Sequence, residues 1–186
     1  MATTTNDFRN GMVLRKDGKL YAVVNFLHVK PGKGAAFVRS KLKEIRTGRV
    51  IEITWRAGEK IEDVRLDRVK AQFLYRDDML NFMRLDNYDQ IALPEAVVGE
   101  RNASFLKDGM EVEFLLDGEE PITIEMPTFV ELEITKTDPG VKGDTVSGGS
   151  KPATLESGAV VQVPLFLSEG TVVKVDTRTG EYVSRV

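Results

Sequence analysis

The stretch MVLRKDGKLYAVVNFLHVKPGKGAAFVRSKLKEI, residues 12–45, decides the fold. Its apolar residues come in short runs rich in Val, Leu and Phe, cut by Asp17-Gly18 and by Lys30-Pro31-Gly32-Lys33-Gly34, without a sustained helical period. Asp17-Gly18 predicts a two-residue hairpin, because both residues tolerate positive φ. Strands are therefore expected at 12–16, 20–30 and 35–45. Working outward, the same pattern predicts strands at 49–55 and 61–64, then at 69–75, 79–86, 88–93, 111–116 and 122–125, and last at 129–137, 160–163, 171–176 and 182–185. One short helix is expected at 94–98, with Pro94 at its start and Gly99 past its end.

The chain reads as all-β. Five or so short strands per sixty residues suit small barrels, since closing a sheet removes its exposed edges. The 186 residues thus divide into three small β-barrel domains in series, at 1–64, 65–126 and 127–186, with boundaries placed at composition breaks near Glu62-Asp63 and Met126-Pro127. At 41% hydrophobic and 30% charged residues the composition is that of an ordinary globular chain, and no run approaches the length of a membrane-spanning helix. The start lacks the features of a signal peptide, so a cytoplasmic location and no membrane partner are expected. The absence of cysteine and the single histidine, His28, remove disulfides, thiol catalysis and any Cys/His metal cage, so no metal and no cofactor is expected.

The net charge of −3 conceals a polarity along the chain. Residues 1–64 carry thirteen Lys/Arg against seven Asp/Glu, residues 65–126 carry seven against fourteen, and residues 127–186 carry six against eight. A basic first third in an acidic chain suits a phosphate-bearing partner, although uneven solvated charge gives the same count.

Three features are candidates for function. At the tip Lys30-Pro31-Gly32-Lys33-Gly34, Lys33 stands between two glycines with no neighbouring side chain to cover it. Behind it Arg39, Lys41 and Lys43 alternate with Val38 and Leu42, which at the two-residue period of a strand puts three cations on one face. The residues alone leave open a solvated lysine face. The second feature runs from Gly140 to Thr154, including Gly143, Asp144, Thr145, Gly148, Gly149, Lys151, Pro152 and Thr154. It reads as a long glycine-rich loop that brings backbone close to phosphate. It is not a nucleotide P-loop, because Gly149 stands where that motif needs lysine. The third is the C-terminal hairpin with Arg178, Tyr182 and Arg185, groups that pair phosphates and stack bases. Asp77-Asp78 and Glu119-Glu120 are adjacent carboxylates, which on a strand point to opposite faces and make no acid and base pair. The chain reads as a binding protein rather than an enzyme.

At these residues the chain resembles bacterial elongation factor P, a family related to the hypusine-containing translation factor 5A proteins of eukaryotes and archaea. The resemblance runs the whole length. It is carried by Asn6-Asp7-Phe8-Arg9 with Gly11, by Val29 to Gly34 with Ala36-Phe37, by Phe129-Val130-Glu131-Leu132, by Thr137 to Gly140 and Gly143 to Thr154, and by Gly158 to Val161, Val163 to Phe166 and Val175 to Tyr182. It implies a KOW-like or SH3-like first barrel and two OB-like barrels in an L-shaped, tRNA-like outline. It further implies a monomer that binds the 70S ribosome between the peptidyl and exit sites and relieves stalling at consecutive prolines by stimulating peptide bond formation. Lys33 matches the position that carries the family's post-translational extension, directed at the peptidyl-tRNA, which implies a lysine-modifying enzyme as a further partner. The segment from Gly143 to Thr154 matches the part that members place near the exit-site codon. The rival reading is a general single-strand-binding protein built on OB-like barrels, which calls for aromatics interleaved with cations on one barrel face, whereas aromatics are only 8% of this chain.

Overall fold

The computed structural model describes residues 3–140 and 149–186. Among them the regular structure is almost all strand, in three five-stranded sheets, two of which are curled or barrel-like. The all-β reading is matched.

The first sheet has the order β4-β3-β2-β1-β5, with β1 at Val13–Lys16, β2 at Lys19–Val29, β3 at Phe37–Glu44, β4 at Val50–Arg56 and β5 at Glu62–Asp63. Asp17 and Gly18 both take positive φ, 50° and 74°, so the tight hairpin read from the sequence is present, with Lys16 opposite Lys19. The strand β3 alternates strictly: Val38, Ser40, Leu42 and Glu44 are buried, while Arg39, Lys41 and Lys43 are exposed. Its inner apolar side chains join Phe8, Met12, Leu14, Tyr21, Val23 and Trp55 in one cluster. Trp55 is buried whole because its indole nitrogen donates to Ser40 Oγ at 2.9 Å, which removes the cost of an unpaired buried donor. Ahead of the sheet a single 3-10 turn, Thr5–Asp7, is closed by the Asp7 carboxylate, which accepts from the Thr4 amide and hydroxyl.

The second sheet, β10-β9-β6-β7-β8, is built from β6 at Asp67–Arg76, β7 at Leu80–Arg84, β8 at Gln90–Leu93, β9 at Glu111–Asp117 and β10 at Glu120–Glu125. Phe73 and Phe82 meet edge to face inside it, with ring centres 5.3 Å apart. Between β8 and β9 the single expected helix is two. The helix α1, Glu95–Val98, ends at Gly99, whose φ of 87° redirects the chain into α2, Glu100–Phe105. Six residues are too few to show a helical period, so the sequence gives no sign of α2. Phe105 at its end is buried.

The third sheet, β13-β12-β11-β14-β15, holds β11 at Phe129–Thr137, β12 at Ser150–Leu155, β13 at Val160–Pro164, β14 at Val172–Asp176 and β15 at Glu181–Arg185. Its inner residues Leu132, Ile134, Leu155, Val163, Val173 and Val175 cluster with Phe105. Here the sequence reading needs correction. Residues 150–154, expected as the end of a loop, lie in β12, paired in register with β13 from Ser150 opposite Pro164 to Thr154 opposite Val160. Pro152, which has no amide to give the ladder, accepts from Thr137 Oγ1 at its carbonyl, at 3.0 Å.

By packing, the chain forms two compact units. One comprises residues 1–68 with 114–123, and the other residues 69–113 with 124–186. No helix among the described residues is long and apolar enough to cross a membrane.

Candidate functional site

The tip lies at the end of the β2–β3 hairpin. The strands β2 and β3 pair in register up to Val29 opposite Phe37, and Lys30 to Ala36 close the hairpin. Lys30, Pro31, Gly32, Lys33 and Gly34 are all exposed. Gly34 takes φ of +105°, a conformation that side chains other than glycine avoid, and Gly32 has open space where a Cβ would stand. The result is a loop of small residues that carries two exposed lysines, Lys30 at its start and Lys33 between two glycines, with no ion pair to Lys33 among the described residues.

Below the tip, Arg39, Lys41 and Lys43 are brought together on one exposed face, as the two-residue period predicts. They differ in what already engages them. Lys41 Nζ lies 3.4 Å from Glu52 Oε1 in a pair more than half exposed on both sides. The Arg39 guanidinium rests over the Phe37 ring at 6.0 Å. Leu27, 61% exposed, stands opposite Arg39, and Val50 stands opposite Lys43. These two apolar neighbours were not singled out from the sequence. A bulge between Val23 and Asn25 shifts the phase of β2, so simple alternation through the run Val23-Val24-Asn25-Phe26-Leu27 misassigns its faces. His28 is exposed near the tip, and its ring meets Phe26 edge-on at 5.5 Å.

The second candidate is divided by what the structure describes. Gly143, Asp144, Thr145 and Gly148 lie outside the described residues. Gly149 is exposed, Pro152 is exposed and Thr154 is half-buried within β12. Lys151 points inward, 7% exposed, and its ammonium donates to the Asp138 carbonyl at 2.6 Å. That charge is occupied in joining the two ends of the segment.

The C-terminal hairpin likewise changes its meaning. The Arg178 guanidinium forks onto Asp176 at 3.1 and 2.7 Å and, together with the Arg178 amide, holds the Asp176 carboxyl down to about 2. Tyr182 pairs with Val175 and packs on the core of the third sheet, so its ring is half-buried. Arg185 is exposed at the end of β15. Among the described residues no group of three His, Cys, Asp or Glu side chains is placed to hold a metal ion.

Comparison with known proteins bears on the same segments. Three family models match: the elongation factor P KOW-like domain over residues 4–61, the elongation factor P OB domain over 66–124, and the elongation factor P C-terminal domain over 130–185. Elongation factor P of Pelotomaculum thermopropionicum is 53% identical over 184 residues, covering 98% of this chain and 99% of the relative. Elongation factor P of Corynebacterium jeikeium is 54% identical over 185 residues, covering 98% of both. Among solved structures, eukaryotic translation initiation factor 5A from Methanococcus jannaschii superposes with a TM-score of 0.53 at 25% identity, covering 68% of this chain and 92% of that one.

Proposed function

The chain belongs to the elongation factor P family of translation factors, and on that premise we propose that it binds the 70S ribosome between the peptidyl and exit sites and speeds peptide bond formation at consecutive prolines. The observation that carries this reading is Lys33, an exposed cation between two glycines at the head of the hairpin, with Arg39, Lys41 and Lys43 on the strand behind it. Such a hairpin reaches into a narrow RNA-lined space that a flat basic face does not enter. Proline reacts poorly because its ring restricts geometry, and a factor that orders the peptidyl-tRNA end lowers the barrier by positioning alone. No acid, base or cofactor is required, so the protein works as a binding factor and not as an enzyme.

In this reading the domains are 1–64, 65–126 and 127–186, the protein acts as a cytoplasmic monomer, and Lys33 is the position extended by a lysine-modifying enzyme. Arg39, Lys41 and Lys43 meet ribosomal RNA. Gly143 to Thr154 lies by the exit-site codon, with Arg178 and Arg185 as further phosphate contacts once Asp176 is displaced from the former. The acidic residues of 65–126 face solvent or protein, since phosphate repels them. The test is a purified translation system given a message with consecutive prolines. Added protein is expected to relieve the stall there and leave a message without prolines unchanged, and equal effects on both messages refute the proposal.

A further inference from the structure

The cationic face of β3 does not end with Lys43. Beyond Glu44 the chain turns through Ile45 to Arg49 before β4 begins, and Arg46 and Arg49 are both exposed in that turn. Gly48, with φ of 71°, brings the turn back beside the strand, so that a Cβ there would lie 3.8 Å from Lys43 Cε. The two arginines therefore continue the row of Arg39, Lys41 and Lys43 at the end away from the tip. Arg49 has no ion pair among the described residues, whereas Arg46 has one.

The partner of Arg46 comes from far along the chain. Residues 114–123 pack with residues 1–68 in one compact unit, and the tip of the β9–β10 hairpin in that unit carries Asp117, Glu119 and Glu120 around Gly118. Two ion pairs hold the tip, and they differ in kind. The Arg15 guanidinium forks between Asp117 Oδ2 at 2.5 Å and Glu62 Oε1 at 3.0 Å, with the Arg15 and Asp117 side chains 34% and 28% exposed. Arg46 Nη2 meets Glu120 Oε1 at 3.1 Å, with side chains 52% and 68% exposed. A forked, partly sheltered guanidinium fixes geometry, while a single exposed pair exchanges its partner readily. Arg15 thus anchors the hairpin. Glu120, whose carboxylate has no other partner among the described residues, rests on the next cation of the row, where a phosphate oxygen would otherwise sit.

We propose that Glu120 competes with RNA phosphate for Arg46, tempering the hold of the basic face. This rests on the ribosomal reading above and adds to it one further RNA-facing cation, Arg46, and a carboxylate built into the fold that favours release. A factor that acts at one step and must then leave gains from such a competitor, because phosphate that departs is replaced at once.

The experiment compares the full chain with Glu120→Gln, Arg46→Gln and the double variant, measuring affinity for stalled ribosomes from low to physiological salt. The substituted side chains are exposed, so all four proteins should melt alike, and melting curves check this. Competition predicts that Glu120→Gln binds about two- to fivefold more tightly, the range of one exposed ion pair, with a salt slope steeper by up to about one unit, because Arg46 then pairs with phosphate in full. In the Arg46→Gln background the same substitution should change affinity little, a coupling that the four proteins together isolate. Equal or weaker binding by Glu120→Gln overturns the proposal. So does a gain of the same size with Gln at position 46, which marks loss of a repelling charge and not competition at Arg46. Failure of the unsubstituted protein to bind stalled ribosomes at all overturns the ribosomal reading instead.

Discussion

Replacing Arg39, Lys41 and Lys43 together with Gln tests whether the exposed face of β3 touches RNA. Each cation that neutralises a phosphate releases counterions, and each such pairing contributes roughly 0.7–0.9 to the slope of log affinity against log salt. Arg39 and Lys43 make no ion pair among the described residues and contribute in full. Lys41 is held by Glu52, but exposed pairs of this kind are worth at most about 1 kcal/mol, so the ammonium is free to exchange a carboxylate for a phosphate. Removing all three cations should flatten the slope by about two to three units. Ribosome binding measured from low to physiological salt reads this directly. Exposed substitutions away from the core shift stability by about 0.5 kcal/mol or less each, so the variant should melt close to the unsubstituted protein. Single substitutions at Arg39 and at Lys43 should each remove about one unit or slightly less. An unchanged slope in the triple variant would show that these cations face solvent only.

Two further outcomes rest mainly on the packing and ion pairing of the second unit. Gly140→Ala forces a methyl group against the Leu165 carbonyl and should destabilise by about 1–3 kcal/mol, whereas Gly32→Ala, at a tip with open space, should leave the melting temperature almost unchanged. Equal melting of the two variants would contradict the packing at Gly140. Asp176 is held at about 2 against an ordinary 3.8 by the Arg178 guanidinium. A carboxyl with a depressed folded pKa adds stability that is complete above 3.8 and is lost as pH falls toward 2. Melting of Asp176→Asn should therefore lie below that of the unsubstituted protein at about pH 5 and converge with it near pH 2, and a gap independent of pH would refute the role of this pair.

What the sequence discloses depends on how local each determinant is. The β1–β2 hairpin and the cationic face of β3 are legible because Asp17-Gly18 and the alternation from Val38 to Lys43 are settled by residues next to one another. The strand β12 is hidden, since Gly149, Ser150 and Pro152 read as loop residues and the strand geometry of 150–154 comes from pairing with 160–164. Lys151 and Tyr182 show the same limit at the candidate site. Their types suit RNA contact, but Lys151 turns inward to Asp138 and Tyr182 onto the core, choices made by the sheet and not by neighbouring residues. Arg178 is similar: its binding by Asp176 depends on the course of the β14–β15 turn.

The central claim is that Lys33 acts at the peptidyl-tRNA and not as an anchor for binding. Its most direct measurement is the rate of peptide bond formation between a peptidyl-prolyl-tRNA and prolyl-tRNA at saturating factor, taken with the factor's ribosome affinity, for protein from its own cells and for Lys33→Ala. Because Lys33 is one exposed side chain at an open tip, its removal should leave folding intact and flatten the salt slope of binding by no more than the roughly one unit that a single phosphate contact carries. The rate on saturated ribosomes should fall to that seen without factor. A Lys33→Ala protein that saturates the ribosome and accelerates the reaction as fully as the unsubstituted one would contradict the account.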